Sequence, residues 1–460
     1  MRPAGLTART AVTLLAVAAL SAGCGQYSGV HDKLAGGGNG VQPGADGAAT
    51  DPGAAGGGPG GTGPGGSTGG TSGGGSGSGG GPGGGGAGDT TGVTGDTITI
   101  GIHAPLTGAA PIRADSFNAG KDLYWNYGNG GKPVTIHGRK VKVVFADDRY
   151  RPSHARQVCQ QMAEQSKAFV LIGGGGTDQI QACARYSASK GIPYLSAGVT
   201  EIGLRGLKNY FAASHSYPAQ MPLLSGYVKR KLGVSNNSKI AAVITNTPNF
   251  DDAAQAFQKA FPGAKVFRPE KNANGSSMAN NLCTGATKNF DVVLPLTAPT
   301  YYLQMAPAAT CRPQYIGVGV SMGLDTVAST GCQAGRATEN ARFLSPAPAF
   351  EDARTGKWDP QFMRAAGAAG VAGDDIMWLL WGQSKVLHQL LERAGKNLDR
   401  QRFIASTQTA RVRTNVFPEL AYSPSNHFGS RQVSMLRNVC STRGRQAGYY
   451  VTEQAFVSSF

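Results

Sequence analysis

The segment AFVLIGGGGTDQIQACARYSASKGIPYLSAG, residues 168–198, constrains the fold more than any other stretch of the chain. An apolar run of strand length enters a glycine turn. A helix with apolar spacing follows, and a second short apolar run closes the unit. A helix between two buried strands returns the chain to the end from which it set out, so the strands lie parallel. Buried parallel strands need helices on both faces of their sheet.

The same alternation runs through the chain on either side. TITIGIHAP reads as a buried strand ending in a turn, and DSFNAGKDLYWNYGNGG as a helix stopped by glycine. HGRKVKVVFADDR is a strand and SHARQVCQQMAEQS an amphipathic helix. After IPYLSAG the pattern restarts. NYFAASHSYPAQMPLLSGYVKRKLG leads from a short strand into a helix. SKIAAVITNTPNF, AKVFRPE, FDVVLPLTAP and QYIGVGVS are strands, and DDAAQAFQKAF, SSMANNLCTGATKN and TYYLQMAPAATC are helices. Two successive α/β units of similar layout predict two similar lobes. The long helix DDIMWLLWGQSKVLHQLLERAG and a β-like tail, FPELAYSPSNHFGSRQVSMLRNV, complete the chain.

The N-terminal part is of a different kind. Residues 1–23 carry Arg2 and Arg9, then the apolar AVTLLAVAAL, then small residues before Cys24. The apolar run is too short to span a bilayer comfortably and reads as a secretory signal. A cysteine at the cleavage point resembles the bacterial lipoprotein signal, in which lipid is attached to the thiol, here Cys24. Much of the chain's 69 Gly falls in residues 36–88, which hold hardly a large apolar side chain. Such a stretch buries too little surface to offset its ordering entropy. Residues 24–93 are therefore expected to be a flexible tether, with an r.m.s. reach of about 40–45 Å. The folded head is expected from residue 94 onward.

The net charge is +16, yet Lys and Arg are scattered, without a dense basic block or interleaved aromatics, which argues against nucleic-acid binding. Of 7 Cys, those other than Cys24 are Cys159, Cys183, Cys283, Cys311, Cys332 and Cys440. An even set in an exported protein suggests disulfides, and six cysteines allow 15 pairings. The pairing favoured is Cys159–Cys183 and Cys283–Cys311, each joining neighbouring helices, with Cys332–Cys440 remaining. No CxxC or Cys/His cluster suggests a metal, and no cofactor is expected.

Two strand ends carry candidate binding chemistry. In GGGGTDQ, glycine lets backbone N–H groups approach a ligand, and the helix starting at Thr177 offers unpaired donors and a partial positive charge. The alternative is a tight turn with Thr177 as an ordinary cap. The spacing is not GxGxxG and carries no phosphate-loop Lys. SAGVTE ends the next strand, so Gly198 and Thr200 fall at the same crevice beyond the carboxyl ends of the strands. No GxSxG or HExxH motif appears. Asp147 and Asp148 are adjacent on a strand, point to opposite faces, and read as turn or solvation residues. An enzyme is not expected.

Together, IGIHAPLTGAA, VVFADDRYRPSHARQVCQQM, FVLIGGGGTDQIQACARYSASKGIPYLSAGVTE and KIAAVITNTPNFDDAAQAFQKAF resemble the substrate-binding proteins of ABC importers, in the branched-chain amino acid class. The likeness runs from about Thr97 to His427. It implies the type I periplasmic binding protein fold: two Rossmann-like α/β lobes with parallel sheets, joined by a three-strand hinge. One lobe is expected to comprise 94–216 plus 345–427, the other 217–344 plus 428–460. It also implies a role for particular residues. Thr177, flanked by Gly176 and Asp178, stands where a hydroxyl and N–H groups hold a ligand carboxylate. Gly198 and Thr200 stand where a carbonyl and a hydroxyl meet the head group. Phe250 and Ala298 fall on the second lobe's ligand face, and Trp381 is matched to an aromatic wall. Arg113 replaces a frequent aromatic, and Tyr217 a frequent acid at the first crossing. Gly319 occupies the position of the second-lobe carboxylate that pairs with an amino acid's ammonium.

A buried ammonium without a counter-charge is costly. The expected ligand is therefore a small carboxylate or amide, not necessarily an α-amino acid. The resemblance implies a monomer held outside the cytoplasmic membrane by the lipid on Cys24, delivering its ligand to an ABC permease. A sensing receptor of the same fold is the alternative, and an envelope enzyme a third reading.

Overall fold

The structure, a computed structural model, describes residues 88–283, 290–444 and 446–460. The expected signal peptide, Cys24 and the tether up to residue 87 lie outside the described residues. Among the described residues no helix is long and apolar enough to cross a membrane.

The first sheet is built from β1 (Thr97–Ala104), β2 (Thr135–Ile136), β3 (Arg139–Asp147), β4 (Val170–Gly173), β5 (Tyr194–Ser196) and β6 (Tyr210–Ala212). Their order is β2-β3-β1-β4-β5-β6, parallel throughout except for the β2–β3 pair. Helices α1 (Ala114–Tyr127), α2 (Pro152–Glu164) and α3 (Thr177–Ser189) connect these strands. α2 and α3 pack together on one face, and the other is covered by α1. Ile98, Ile100 and Phe169 are at most 1% exposed. Each such buried side chain contributes roughly 1.5–3 kcal/mol.

The second sheet holds β7 (Ile240–Ile244), β8 (Lys265–Phe267), β9 (Val292–Leu296), β10 (Gln314–Val318) and β11 (Arg342–Ser345), connected by α5 (Asp251–Ala260), α6 (Gly275–Cys283), α7 (Pro299–Ala308) and α8 (Asp325–Gln333). α4 (Tyr217–Arg230) leads in from the first sheet and packs on α5. The chain then forms α9 (Phe350–Arg354), α10 (Pro360–Ala368), α11 (Asp375–Ala394), α12 (Arg400–Thr407), β12 (Arg411–Val412) and β13 (Leu420–Ala421). The first of these, α9, still lies against the second sheet's edge. α11 packs on α1 beside the first sheet. Phe428 bridges Ala212 of the first sheet. β14 (Val433–Val439) and β15 (Tyr449–Val457) then complete the second sheet, whose order is β15-β14-β11-β10-β9-β7-β8. Both are antiparallel to their neighbours. β15 is half-exposed at the edge, which is why its residues carry little apolar alternation.

Three cysteine pairs stand at disulfide distance: Cys159–Cys183, Cys283–Cys311 and Cys332–Cys440, with Cα–Cα separations of 5.9, 5.3 and 5.3 Å.

The folded head starts earlier than expected. Residues 89–93, assigned to the tether, are held by Arg400. This buried guanidinium donates to Ala168 O at 2.7 Å and Phe169 O at 3.1 Å, and pairs with Asp89 at 2.6 Å. Thr99 N then donates to Gly92 O at 2.8 Å. Glycine content hides this, because the anchor is a distant arginine. Arg400→Ala removes hydrogen bonds to a charged donor and is expected to cost about 2–4 kcal/mol in urea unfolding. Proteolysis is expected to cut within residues 88–93 of the variant first.

Candidate ligand-binding cleft

In each lobe the strand order reverses next to its first strand: between β1 and β4 in one, between β7 and β9 in the other. Loops diverge at such a point and leave a crevice beyond the carboxyl ends of the strands. The two crevices face each other across a cleft of about 280 Å³.

On the first lobe the cleft is lined by Gly175, Gly176, Thr177, Asp178 and Gln179, where β4 turns into α3. Gly176 is the N-cap and makes no side-chain cap, so the first N–H groups of α3 have no cap from it. Gln179 is 1% exposed, and its Nε2 has no hydrogen-bond partner. On the second lobe Thr245, Thr247, Phe250, Ala298 and Gly319 line the cleft. Ala298 is the N-cap of α7, again without a side-chain cap. Thr247 Oγ1 is a second buried atom without a partner. Gly319 adopts φ +112°, which favours glycine. Tyr217 faces the cleft with its ring 6.1 Å from that of Phe250. Burial pushes its hydroxyl up to about 12, against a hydrogen bond with Thr177.

The only carboxylate among the cleft's described residues, Asp178, is already engaged. Its oxygens accept from Asn249 Nδ2 and Lys271 Nζ of the second lobe, both at 2.6 Å. These bonds close the lobes on each other and neutralise the acid. The cleft is left with helix N-termini, hydroxyls and amides, a set suited to an acceptor-rich ligand group. Lys271 and Asn249 were not among the sequence candidates, because only the fold brings their loops to Asp178.

Four expected site residues lie elsewhere. Thr200 is fully buried and donates to Asp252 Oδ2 at 2.8 Å, an acid at the start of α5 that also accepts Glu201 N at 2.6 Å. Its hydroxyl joins the lobes and does not line the cleft. Trp381 is 0% exposed, packed edge-on against Tyr124 and Phe362, with Nε1 donating to Asp359 at 3.0 Å. It is a core residue. Arg113 is half-exposed and pairs with Asp115 at 2.6 Å, away from the cleft. Gly198 lines a second cavity, its N–H bonded to Ser214 Oγ at 2.7 Å.

That second cavity, about 190 Å³, runs into the first lobe beneath α1 and α11. It meets the cleft at Gly175, Tyr217 and Ser321, which line both. His103 forms part of its wall, with Nδ1 2.8 Å from Asp148 and Nε2 2.7 Å from Tyr194 Oη. A Cβ on Gly173 would collide with that ring. The adjacent aspartates thus divide their work. Asp147 holds the turn after β1, accepting from Leu106 N at 2.9 Å and Thr107 Oγ1 at 2.6 Å. Asp148 is fully buried and not solvated, and its Oδ1 accepts Tyr150 N at 2.9 Å, the turn role the sequence also allowed.

Near the hinge, Asp325 N at the start of α8 donates to Asp375 Oδ2 at the start of α11, at 2.8 Å. Burial pushes the Asp375 carboxyl up to about 8, with the Asp325 charge adding to the effect. Burial likewise raises Asp325 to about 6. Both folded values exceed the ordinary one, so the folded state binds more protons than the unfolded chain. This contribution is present in full below about pH 4 and lost as pH rises through 6 and then 8. Asp375→Asn is expected to flatten the pH dependence of Tm over that range and to raise stability by about 1–3 kcal/mol at pH 8. Trp381→Phe is expected to cost about 1–3 kcal/mol through the donor lost by buried Asp359. Ligand affinity, measured by calorimetry, is expected to stay unchanged.

Comparison with known proteins completes the picture. The model of the family described as "Periplasmic binding protein" matches residues 97–442, well over half of the chain. No curated protein is significantly similar in sequence. A fatty acid ABC transporter substrate-binding protein from Thermomonospora curvata superposes with a TM-score of 0.65 at 17% identity, covering 81% of this chain and 95% of that one. A solute binding protein of an ABC transporter from Rhodopseudomonas palustris BisB5, in complex with 3,4-dihydroxybenzoic acid, gives 0.62 at 15% identity, covering 79% and 99%. A leucine binding protein from Thermotoga maritima MSB8 gives 0.61 at 16% identity, covering 78% and 98%. At these identities the likeness establishes the fold. With the family model spanning both lobes, the chain belongs to the periplasmic binding protein family, in its type I form.

Proposed function

We propose that this protein is an extracytoplasmic solute-binding lipoprotein that captures a small carboxylate or amide between its lobes and delivers it to an ABC importer. The observation that carries the reading is the chemistry of the cleft. It presents the start of α3, the unpartnered Gln179 amide and the Thr247 hydroxyl, while its one acid is spent on Asn249 and Lys271. A carboxylate finds donors there. An ammonium finds no free counter-charge, since Gly319 stands where an acid would be needed. The proteins of like fold bind, by their descriptions, a dihydroxybenzoate, leucine and fatty acids.

In this reading Gly176, Thr177 and Tyr217 hold the ligand's polar group, Phe250, Ala298 and Gly319 cover it from the second lobe, and Gly198 meets its body. Asp178 serves closure. Lobe motion turns on chain crossings near residues 216, 355 and 428. The lobes are residues 88–216 plus 355–428 and 217–354 plus 429–460, the expected second crossing at 345 moving because α9 packs on β15. The three cysteine pairs are disulfides formed after export. The lipid on Cys24 holds the head, a monomer, at the membrane, and the permease recognises the closed form. The ligand leaves unchanged.

A thermal-unfolding screen of the full chain against amino acids, carboxylates, amides, polyamines and sugars tests this. Ligand at a thousand times its Kd adds about 4 kcal/mol of stability. The reading expects a shift with carboxylates or amides that Thr177→Ala reduces at least tenfold in affinity. Shifts confined to polyamines or sugars would overturn it.

A further inference from the structure

The cleft alone suits a compact acid, but it is not a closed chamber. It shares the wall residues Gly175, Tyr217 and Ser321 with the second cavity. The two differ in chemistry. The inner cavity is walled mainly by hydrocarbon: Ile102, Phe117 and Ile180 of the first lobe, Ile376 and Leu380 of α11, and Leu324 from the second lobe. Its polar members are largely satisfied. Both ring nitrogens of His103 are bonded. Ser196 Oγ donates to Ala197 O at 2.8 Å, and Ser214 Oγ accepts Gly198 N at 2.7 Å. Gln383 is the exception, with a buried Nε2 that has no partner.

An apolar chamber of about 190 Å³ beneath a donor-rich cleft is the shape of an amphipathic molecule. From this, and resting on the reading of the cleft given above, we infer that the ligand is a monocarboxylic acid with an extended apolar body. Its carboxylate sits at the start of α3 beside Gln179. Its hydrocarbon passes Tyr217 and fills the space under α1 and α11. Leu324 and Ser321 come from the second lobe, so the hydrocarbon itself is gripped by closure. A short acid would leave the inner chamber unfilled, and its apolar wall would contribute nothing to affinity.

Calorimetry on the full chain with straight-chain acids from acetate to dodecanoate, and with alkylamines of the same lengths, tests the inference. Each methylene moved from water into the chamber is expected to tighten binding about fourfold, until the chamber is full. The stoichiometry is expected to be one acid per chain, with amines much weaker. Ala213→Leu, which adds bulk to the chamber wall, should weaken long acids relative to short ones. Gln383→Leu should strengthen plain long-chain acids severalfold, so a folding defect in the first variant leaves a test in the second. Short acids binding as tightly as long ones would overturn the inference and leave the proposed solute capture standing. Amines equal to acids, or several long acids per chain, would also overturn it. Binding by no acid of any length would overturn the inference and, of the reading above, leave only its amide arm.

Discussion

The cleft depends on how closely the backbone after β4 passes over the ring of His103. His103 lies on β1 and reaches across to Tyr194 on β5, while its other nitrogen meets Asp148 just beyond β3. β4 runs between β1 and β5, and its residue in register with His103 is Gly173. Any side chain there would occupy the space of the imidazole. Glycine therefore lets one buried hydrogen-bonded chain tie the carboxyl ends of β3 and β1 to the start of β5 across β4. The turn that follows is fixed from below, and the first N–H groups of α3 are aimed across the cleft. A buried polar group left without its partners costs about 1–3 kcal/mol, so the triad holds the turn in place only as a complete set.

Closure has a different origin. Asp178, Asn249 and Lys271 join the lobes on one side of the cleft, and Thr200, Glu201 and Asp252 on another. Each contact spends a carboxylate that would otherwise stand near the ligand. The interior is left rich in donors and poor in negative charge. Shape then adds to electrostatics, because an apolar cavity shares Gly175, Tyr217 and Ser321 with the donor-rich cleft.

Much of the architecture was legible in the sequence, because buried parallel strands and their helices write strong apolar runs. The βα alternation and the long α11 follow from that. So does the start of α3, where glycines precede Thr177. The restart reads in the sequence as falling after β5, whereas β6 still belongs to the first sheet. What the sequence obscured are contacts set by tertiary structure. Trp381 reads as an aromatic wall until Asp359, Tyr124 and Phe362 are seen around it. Thr200 reads as a ligand hydroxyl until Asp252 arrives from the other lobe. The fold brings Lys271 and Gln383 to the site from segments with no local signature. The role of Gly173 was read as access for a ligand, whereas its neighbour shows a packing need.

The account stands on one molecule being held by both lobes at once. Amide hydrogen exchange on the full chain, with and without a saturating straight-chain acid, measures this most directly. The account predicts slowed exchange at residues 175–180, at 298–304 and along 376–383 together. Protection limited to one lobe, or no change at residues 175–180, would contradict it.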